Sequence, residues 1–330
     1  MHSQDPLLNI QNLSTFFHTE ENIVRSVRNV DLTIYPGETV ALVGESGCGK
    51  SVTALSAMRL VPMPPGNFEN GRILLKGKDL LQASELEMQK IRGNEIGMIF
   101  QEPMTSLNPI FTIGDQIIEA ICLHQDKSHD EARILALKVL KKVAMPSPET
   151  RIDQYPHELS GGMKQRVMIA MSIACKPSLL IADEPTTALD VTIQAQILDL
   201  LDELRKETQM SILLITHNLG IVAQYADRVA VMYSGKIVEL ASVENIFASP
   251  SHPYTKGLLN SLPKDTISVK LETIPGAVPH PAFLPEGCAF HPRCAEKMGE
   301  CEREIPELQS LDSNPKHQTA CWLYNKMPAL

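Results

Sequence analysis

A glycine-rich loop that ends in a lysine and a hydroxyl residue is the clearest chemical feature of this sequence. The loop comprises Gly44, Glu45, Ser46, Gly47, Cys48, Gly49, Lys50, Ser51 and Val52. Its spacing is that of a P-loop, in which glycines turn backbone N–H groups inward and a following helix adds positive charge. We therefore expect a nucleoside triphosphate here, with Lys50 on the β- and γ-phosphates and Ser51 on a bridging Mg²⁺.

The elements around the loop have the order that a P-loop requires. Residues 39–43 are apolar and predict a short buried strand, whereas residues 51–59 contain good helix formers and neither Pro nor Gly. Upstream, residues 7–13 and 24–34 alternate apolar and polar side chains, which predicts half-buried antiparallel strands. Phe17 ends the first of them. An aromatic side chain at this place packs on a core edge or stacks on an adenine ring.

Polar side chains follow three further predicted strands. They are Gln101 after residues 96–100, Asp183 and Glu184 after residues 179–182, and His217 after residues 211–216. Carboxylates at the carboxyl end of a buried strand are costly unless they meet a metal or a proton, and this end is where α/β sheets bind ligands. We expect Asp183 to join the Mg²⁺ shell and Glu184 to polarise a water. A lone histidine is more often structural, but the convergence of strand ends assigns His217 to the site.

Two helical stretches lie between these strands. Residues 112–145 are helical in pattern, with an interruption at 125–128, and predict a mostly α insertion in an α/β domain. A long helix begins after Ser160, which is a good N-cap, and Gly161 and Gly162 allow close backbone approach. This turn is a possible second phosphate cradle, although capped helix starts are common.

Composition restricts the functional classes. The 330 residues provide room for one large domain and a smaller one, and the net charge of −9 gives no general electrostatic support for nucleic-acid binding. No apolar run approaches the roughly 18 residues of a membrane span. The N-terminus has neither a basic start nor an apolar stretch, so we expect no signal peptide. An ATP site indicates the cytosol, where thiols stay reduced.

Four cysteines cluster near the C-terminus, and they are Cys288, Cys294, Cys301 and Cys321. The segment has Pro and Gly turns and is too short and polar for a core of its own, so it predicts a metal site. Zinc and a [4Fe–4S] cluster both accept four thiolates, and the spacing matches neither a paired zinc pattern nor the ferredoxin run. Cys48, Cys122 and Cys175 are expected to be buried or incidental.

The ordered motifs resemble the ATP-binding subunit of an ABC transporter over most of the chain. By this resemblance the P-loop is Walker A, Leu159 to Gly162 is the signature, Leu180 to Glu184 is Walker B and Ala188 to Asp190 is the D-loop. Gln101 is the Q-loop glutamine, His217 the switch histidine and Phe17 the adenine-stacking aromatic. Met163 stands where the family consensus has Gln. The implied fold is a P-loop NTPase with a RecA-like α/β core, an antiparallel β subdomain and a helical subdomain at about residues 102–175. Residues 1–250 would form this domain, and residues 251–330 a small cysteine-rich extension.

The resemblance also implies roles for these residues. Glu184 would be the general base, His217 would contact the γ-phosphate, and Lys50 and Gln101 would complete the catalytic set. Mg²⁺ would be held through Ser51, Gln101 and Asp183. Ser160, Gly161, Gly162 and Asp190 would complete the ATP site of a partner subunit in trans.

Three stretches, residues 100–109, 161–171 and 249–255, resemble the peptide/nickel branch of bacterial importers. This implies a heterodimer of two homologous ATPase subunits on the cytoplasmic face of the bacterial membrane. They would lie beneath two permeases that are fed by an extracellular binding protein, and no nucleic acid would take part. In that branch a similar tail binds an iron–sulfur cluster, which favours [4Fe–4S] over zinc or free thiols.

We therefore expect an ATPase that powers the import of peptides. The alternatives are the same role in an importer of nickel or another small solute, and a soluble ABC ATPase of DNA repair or translation. Those soluble ATPases usually carry a long coiled-coil insertion or two cassettes, which this chain lacks. A third alternative makes the tail an iron or redox sensor.

Overall fold

The computed structural model describes residues 5–101, 106–187, 190–262, 273–312 and 314–324. Part of the importer-like stretch at 100–109 and the two residues before Asp190 therefore lie outside the described residues. The strands in these ranges are β1 (Leu8–His18), β2 (Ile23–Ile34), β3 (Thr39–Val43), β4 (Gly66–Leu75), β5 (Lys78–Asp79), β6 (Ile96–Ile99), β7 (Leu179–Asp183), β8 (Ser211–Thr216), β9 (Arg228–Tyr233), β10 (Lys236–Ser242), β11 (Gln309–Leu311) and β12 (Asn314–Thr319).

The α-helices in the same ranges are α1 (Lys50–Ala57), α2 (Glu85–Ile91), α3 (Ile113–His124), α4 (His129–Lys142), α5 (Pro148–Arg151), α6 (Gly161–Ile173), α7 (Val191–Thr208), α8 (Leu219–Tyr225), α9 (Val243–Ala248) and α10 (Pro253–Asn260). None of these helices is long and apolar enough to cross a membrane.

The chain divides into two compact units. The first comprises Met1–Leu7, Ile34–Glu38 and Gln82–Ile215, and the second comprises Leu8–Thr33, Thr39–Leu81 and Thr216–Leu330. The domain boundaries predicted from the sequence, at residue 250 and at about 102–175, divide the chain by function and not by compactness. They stay predictions.

The first unit contains three parallel strands in the order β8, β7, β6. Every residue of β7 and β8 is buried. Continuous apolar strands are typical of parallel sheets that are covered on both faces. The strands predicted at 96–100, 179–182 and 211–216 are therefore confirmed to within one residue at each end.

The helices α3 and α4 of the first unit begin at side-chain caps. Thr112 caps α3 and Ser128 caps α4, and each forms a capping box with an acidic residue three positions on. Ser128 explains why the helical pattern is interrupted at residues 125–128, since a new helix starts there. The α-helices α3 and α4 pack against each other and against α6.

The second unit contains a four-stranded sheet in the order β2, β1, β4, β5, in which β4 is antiparallel to both of its neighbours. The antiparallel β part is thus confirmed. The strand β4 runs from Gly66 to Leu75. Its first half has polar residues and pairs with the end of β1.

The second unit also contains strands in the order β11, β12, β10, β9, β3. The pair β3–β9 is parallel, and the pairs β9–β10, β10–β12 and β11–β12 are antiparallel. The C-terminal segment therefore adds two strands at the edge of this sheet. Phe290 from the same segment packs against Tyr233 and Tyr254, with ring centroids 5.2 and 5.4 Å away. The segment shares the core of the second unit, as its polar composition requires.

Candidate functional site

The P-loop connects β3 to α1 in the second unit. Gly44 has φ of 154° and Gly49 has φ of 105°. A Cβ atom at Gly44 would lie 2.2 Å from the Met232 carbonyl oxygen, and one at Gly49 would lie 2.3 Å from the Ser26 carbonyl oxygen. Only glycine fits at these two positions, so the loop has the tight backbone curl of a phosphate cradle.

Lys50 is folded over this loop. Its Nζ donates to the carbonyl oxygens of Gly44, at 2.8 Å, and Glu45, at 3.0 Å, and the residue is 6% exposed. The ammonium group therefore lies beside the glycine cradle, and this donor set fits a bound triphosphate. The neighbouring thiol of Cys48 is buried, and burial raises its pKa. Cys48 is thus a neutral packing residue at pH 7.

Two predicted ATP contacts also belong to the second unit. Phe17 is half-buried on β1, opposite Gly66 of β4. His217 follows β8 directly and is exposed. Their roles, adenine stacking and γ-phosphate contact, stay predictions.

Gln101 and Glu184 meet in the first unit. Glu184 Oε2 accepts hydrogen bonds from Gln101 Nε2 at 3.3 Å and from Thr187 Oγ1 at 2.9 Å. The backbone N–H of Glu184 donates to the Ile215 carbonyl at 2.9 Å, and its φ is +46°. A non-glycine residue rarely adopts this conformation unless its surroundings enforce it. The carboxylate is thus fixed by the fold, immediately after the buried Asp183 at the end of β7.

The signature and D-loop residues lie at two helix starts in the first unit. Ser160 caps α6 by accepting from Met163 N, and Asp190 caps α7 by accepting from Ile193 N at 2.9 Å. A Cβ atom at Gly161 would meet nothing within 4 Å, so this turn has open space on its outer side. Exposed backbone N–H groups at a helix start suit an anion of a partner subunit. That role in trans stays a prediction.

The four C-terminal cysteines line one cavity in the second unit, together with His252, Phe290 and Trp322 among others. Cys301 and Cys321 are buried, and burial together with the other three thiols raises the pKa of Cys321 to about 12. Burial likewise raises the pKa of Cys288 and Cys294. The four predicted ligands therefore converge on one cavity. Within the described ranges, however, no group of three or more His, Cys, Asp or Glu side chains has the geometry to hold a metal ion.

Two side chains that the sequence did not single out hold the P-loop. The guanidinium of Arg293 contacts the Glu45 carboxylate at 2.6 and 3.1 Å, and Tyr254 Oη accepts from the Glu45 backbone N–H at 2.9 Å. Arg293 and Glu45 are 248 positions apart. No local pattern in the sequence could have indicated this pair.

Known protein families match most of the chain. A model of the ABC transporter family matches residues 27–187, and a model of the C-terminal region of oligopeptide/dipeptide transporters matches residues 238–301. The dipeptide transport ATP-binding protein DppD of Bacillus subtilis is 50% identical, over 98% of this chain and 96% of its own length. The chain belongs to the ABC transporter family. A relative from Brucella melitensis, named a putative peptide import ATP-binding protein, is 52% identical over 99% of this chain and 100% of its own length.

Solved structures of ABC cassettes have the same fold. The ATP-binding cassette MJ0796, in a dimeric post-hydrolysis state with ADP and phosphate, superposes with a TM-score of 0.65 at 27% identity, over 72% of this chain and 98% of that one. CbiO1 of Clostridium perfringens, part of an ABC transporter complex, gives a TM-score of 0.63 at 28% identity, over 74% and 92%. The predicted ABC ATPase fold is therefore confirmed, and the protein is an ATPase of this family.

Proposed function

We propose that this chain is the ATP-hydrolysing subunit that powers peptide import through a membrane ABC transporter. The observation that carries this proposal is the match, over almost the whole chain, to relatives named for dipeptide and peptide transport. The match to an oligopeptide/dipeptide transporter region at residues 238–301 supports the same cargo class. The P-loop geometry supplies the ATP-binding part of the function.

The catalytic roles follow the family motifs. Lys50 neutralises charge on the β- and γ-phosphates, Glu184 acts as the general base on the attacking water, and His217 contacts the γ-phosphate. Gln101 donates to Glu184 and would transmit the state of the site to the permeases. Ser51, Gln101 and Asp183 would hold Mg²⁺, which would offset the phosphate charge when bound.

The partners follow from the importer class. A second, homologous ATPase subunit would close on this one around two nucleotides, and Ser160, Gly161, Gly162 and Asp190 would complete its ATP site. The dimeric MJ0796 structures support such pairing. Two permeases and an extracellular solute-binding protein would complete the transporter, with this subunit on the cytoplasmic face of the bacterial membrane. We expect no nucleic-acid partner, because the net charge of −9 gives no general electrostatic attraction to nucleic acid.

Uptake measurements test the cargo. A strain that lacks this gene should lose uptake of labelled di- or oligopeptides and regain it with the native gene, but not with the variant Lys50→Ala. Lys90→Ala, an exposed lysine on α2, is the matched control and should restore uptake. Loss of nickel uptake with peptide uptake intact would instead assign the chain to a nickel importer, and defects in DNA repair or translation with all uptake intact would contradict the transport function.

We further propose that Cys288, Cys294, Cys301 and Cys321 hold a [4Fe–4S] cluster with a structural role. Four thiols that line one cavity are a donor set that suits four-thiolate ligation, and three of them lie within residues 238–301, which the model of the transporter C-terminal region matches. The geometry of these thiols would have to tighten on binding, as metal sites that order with their ligand do.

Metal analysis tests the cluster. Protein purified without oxygen should be brown and contain about four irons per chain. Replacing any one of the four cysteines with Ser should remove the colour, whereas Cys122→Ser and Cys175→Ser should keep it. Zinc without iron would contradict the cluster and keep a metal site, and the absence of bound metal would contradict both.

A further inference from the structure

Arg293 joins the cysteine-rich segment to the P-loop. It directly precedes Cys294, and its guanidinium meets the Glu45 carboxylate in a two-pronged pair, with Nη1–Oε2 at 2.6 Å and Nη2–Oε1 at 3.1 Å. The Arg293 side chain is 5% exposed and that of Glu45 is 29% exposed. A planar fork of this kind fixes orientation as well as distance, so the contact sets the position of the Glu45 side chain.

The fold orients Arg293 independently of Glu45. Its Nε donates to the Pro275 carbonyl at 2.9 Å, and Nη1 also lies 3.4 Å from Tyr233 Oη. Its backbone N–H donates to the carbonyl of Phe290, which packs in the core of the second unit. The guanidinium is thus held by Pro275 and Tyr233 as well as by Glu45. Glu45 meets a preset partner.

Glu45 is in turn held at three points. Its carboxylate meets Arg293, its backbone N–H donates to Tyr254 Oη at 2.9 Å, and its carbonyl accepts from Lys50 Nζ at 3.0 Å. A short chain of contacts therefore runs from Cys294 through Arg293 and Glu45 to the phosphate-binding lysine. The carboxylate itself is an unfavourable charge beside a triphosphate unless a cation neutralises it.

We propose that Arg293 is a positioning residue for the ATP site: it neutralises and orients Glu45 and so holds the P-loop in its nucleotide-binding shape. Through this contact, the affinity for ATP depends on the four-cysteine segment being structurally ordered. The inference rests on the ATP-binding function proposed above and does not depend on which metal, if any, the cysteines bind. A purely structural anchor for the tail would affect stability and leave ATP affinity unchanged.

The test is ATP binding to the purified full-length chain, measured by titration calorimetry with Mg²⁺ present. Arg293→Gln should weaken ATP binding about tenfold, the order expected from the loss of one charge-assisted contact near the phosphates. Adding Glu45→Gln should recover most of the loss, because the double variant has no unneutralised carboxylate. Arg293→Lys should rescue in part, since it restores the charge but not the fork.

Two control variants separate the possible failures. Lys297→Gln removes an exposed ion pair with Glu302 in the same segment, whose N–O distance is 2.9 Å, and should leave ATP binding unchanged. Lys50→Ala should lose ATP affinity whatever Arg293 does. Normal binding by Lys50→Ala would contradict the ATP site itself, whereas loss in Lys50→Ala with unchanged binding in Arg293→Gln would overturn only the role of Arg293.

The link to the cysteines has its own experiment. Cys294→Ser should weaken ATP binding, and combining it with Arg293→Gln should add little, because both act on the same contact. Additive losses would overturn the proposed path through Arg293. If Arg293→Gln does not fold, Glu45→Gln combined with Cys294→Ser provides the same comparison: the carboxylate-free variant should be insensitive to the cysteine change, and an undiminished cysteine effect would contradict the proposal.

Discussion

The carboxylate of Glu184, which we propose to be the general base, is held in place by its neighbours. One of its oxygens accepts from both Gln101 and Thr187, and its backbone is held in the left-handed region. In the proposed role as a base, a carboxylate held in one orientation would avoid the entropy that a mobile side chain loses on reaching a water. The strand-end pattern of the sequence identified Glu184, but it could not indicate this conformation or the bond from Thr187.

The variant Glu184→Gln should therefore bind ATP normally and lose most hydrolysis. The amide keeps the shape and one accepting oxygen, so the two hydrogen bonds can persist, but it cannot take a proton from water. We expect the rate to fall by about 10²–10⁴-fold, the usual contribution of a positioned general base. ATPase rates and ATP binding are measured on the purified subunit together with its partner.

Glu203→Gln, an exposed glutamate on α7, is the matched control and should hydrolyse ATP at the normal rate. Near-normal turnover by Glu184→Gln would reject Glu184 as the base.

The contact between Arg293 and Glu45 marks the limit of prediction at the scale of single residues. The sequence shows that these two side chains carry opposite charges, but it does not show that they pair, because a contact across 248 positions depends on the complete fold.

At the scale of elements, prediction succeeded where the signal is local. The predicted cap Ser160 accepts from a backbone N–H three residues away, so its type and position mark a helix start directly. Buried parallel strands such as β7 are likewise visible as short apolar runs. The start of β4 has no such local signal, because its first residues are polar and are held by pairing with β1, a partner about 50 positions earlier in the chain (for example Phe68 opposite Thr15). The pairing of β12 with β10 was missed for the same reason.

The start of α6 gives a prediction in which stability and activity move in opposite directions. Gly161→Ala adds a methyl group where a Cβ meets nothing within 4 Å, so the helix should become more stable by about 0.4–1 kcal/mol. If this turn faces the partner's nucleotide, the methyl group should obstruct it. The ATPase rate of the paired subunits should therefore fall by about tenfold or more, as for loss of a phosphate contact.

Denaturant unfolding and ATPase assays on the same variant give both values. ATP binding to the isolated subunit should not change, since the variant leaves the P-loop untouched. Full ATPase activity in the paired subunits would contradict the role of the signature turn in trans.

At the scale of the whole chain, the C-terminal segment is part of the second unit rather than an appendage. Glu239 on β10 is fully buried and accepts from Ser251 N at 2.6 Å, His252 N at 2.9 Å and His317 Nε2 at 2.6 Å. Burial alone would raise the pKa of Glu239, but these donors hold it below its usual value. One carboxylate thus ties β10 to the turn before α10 and to β12. The sequence indicated that this segment needs support from elsewhere, but not where it docks.

Glu239→Ala should therefore destabilise the chain and loosen its C-terminal segment. The substitution leaves two backbone N–H groups and a histidine buried without their acceptor, and breaking a buried pair of this kind costs about 3–5 kcal/mol. In the native chain, the stabilisation that ionised Glu239 gives to the folded state should also decrease as pH falls through its lowered pKa, because protonation removes the charge that the donors stabilise. Glu20→Ala, an exposed glutamate in the turn after β1, should change stability by less than about 0.5 kcal/mol. Chemical denaturation measures the free energy of unfolding of both variants, and hydrogen exchange should locate the lost protection in β12. A Glu239→Ala protein as stable as Glu20→Ala would mean that β12 is held by packing alone.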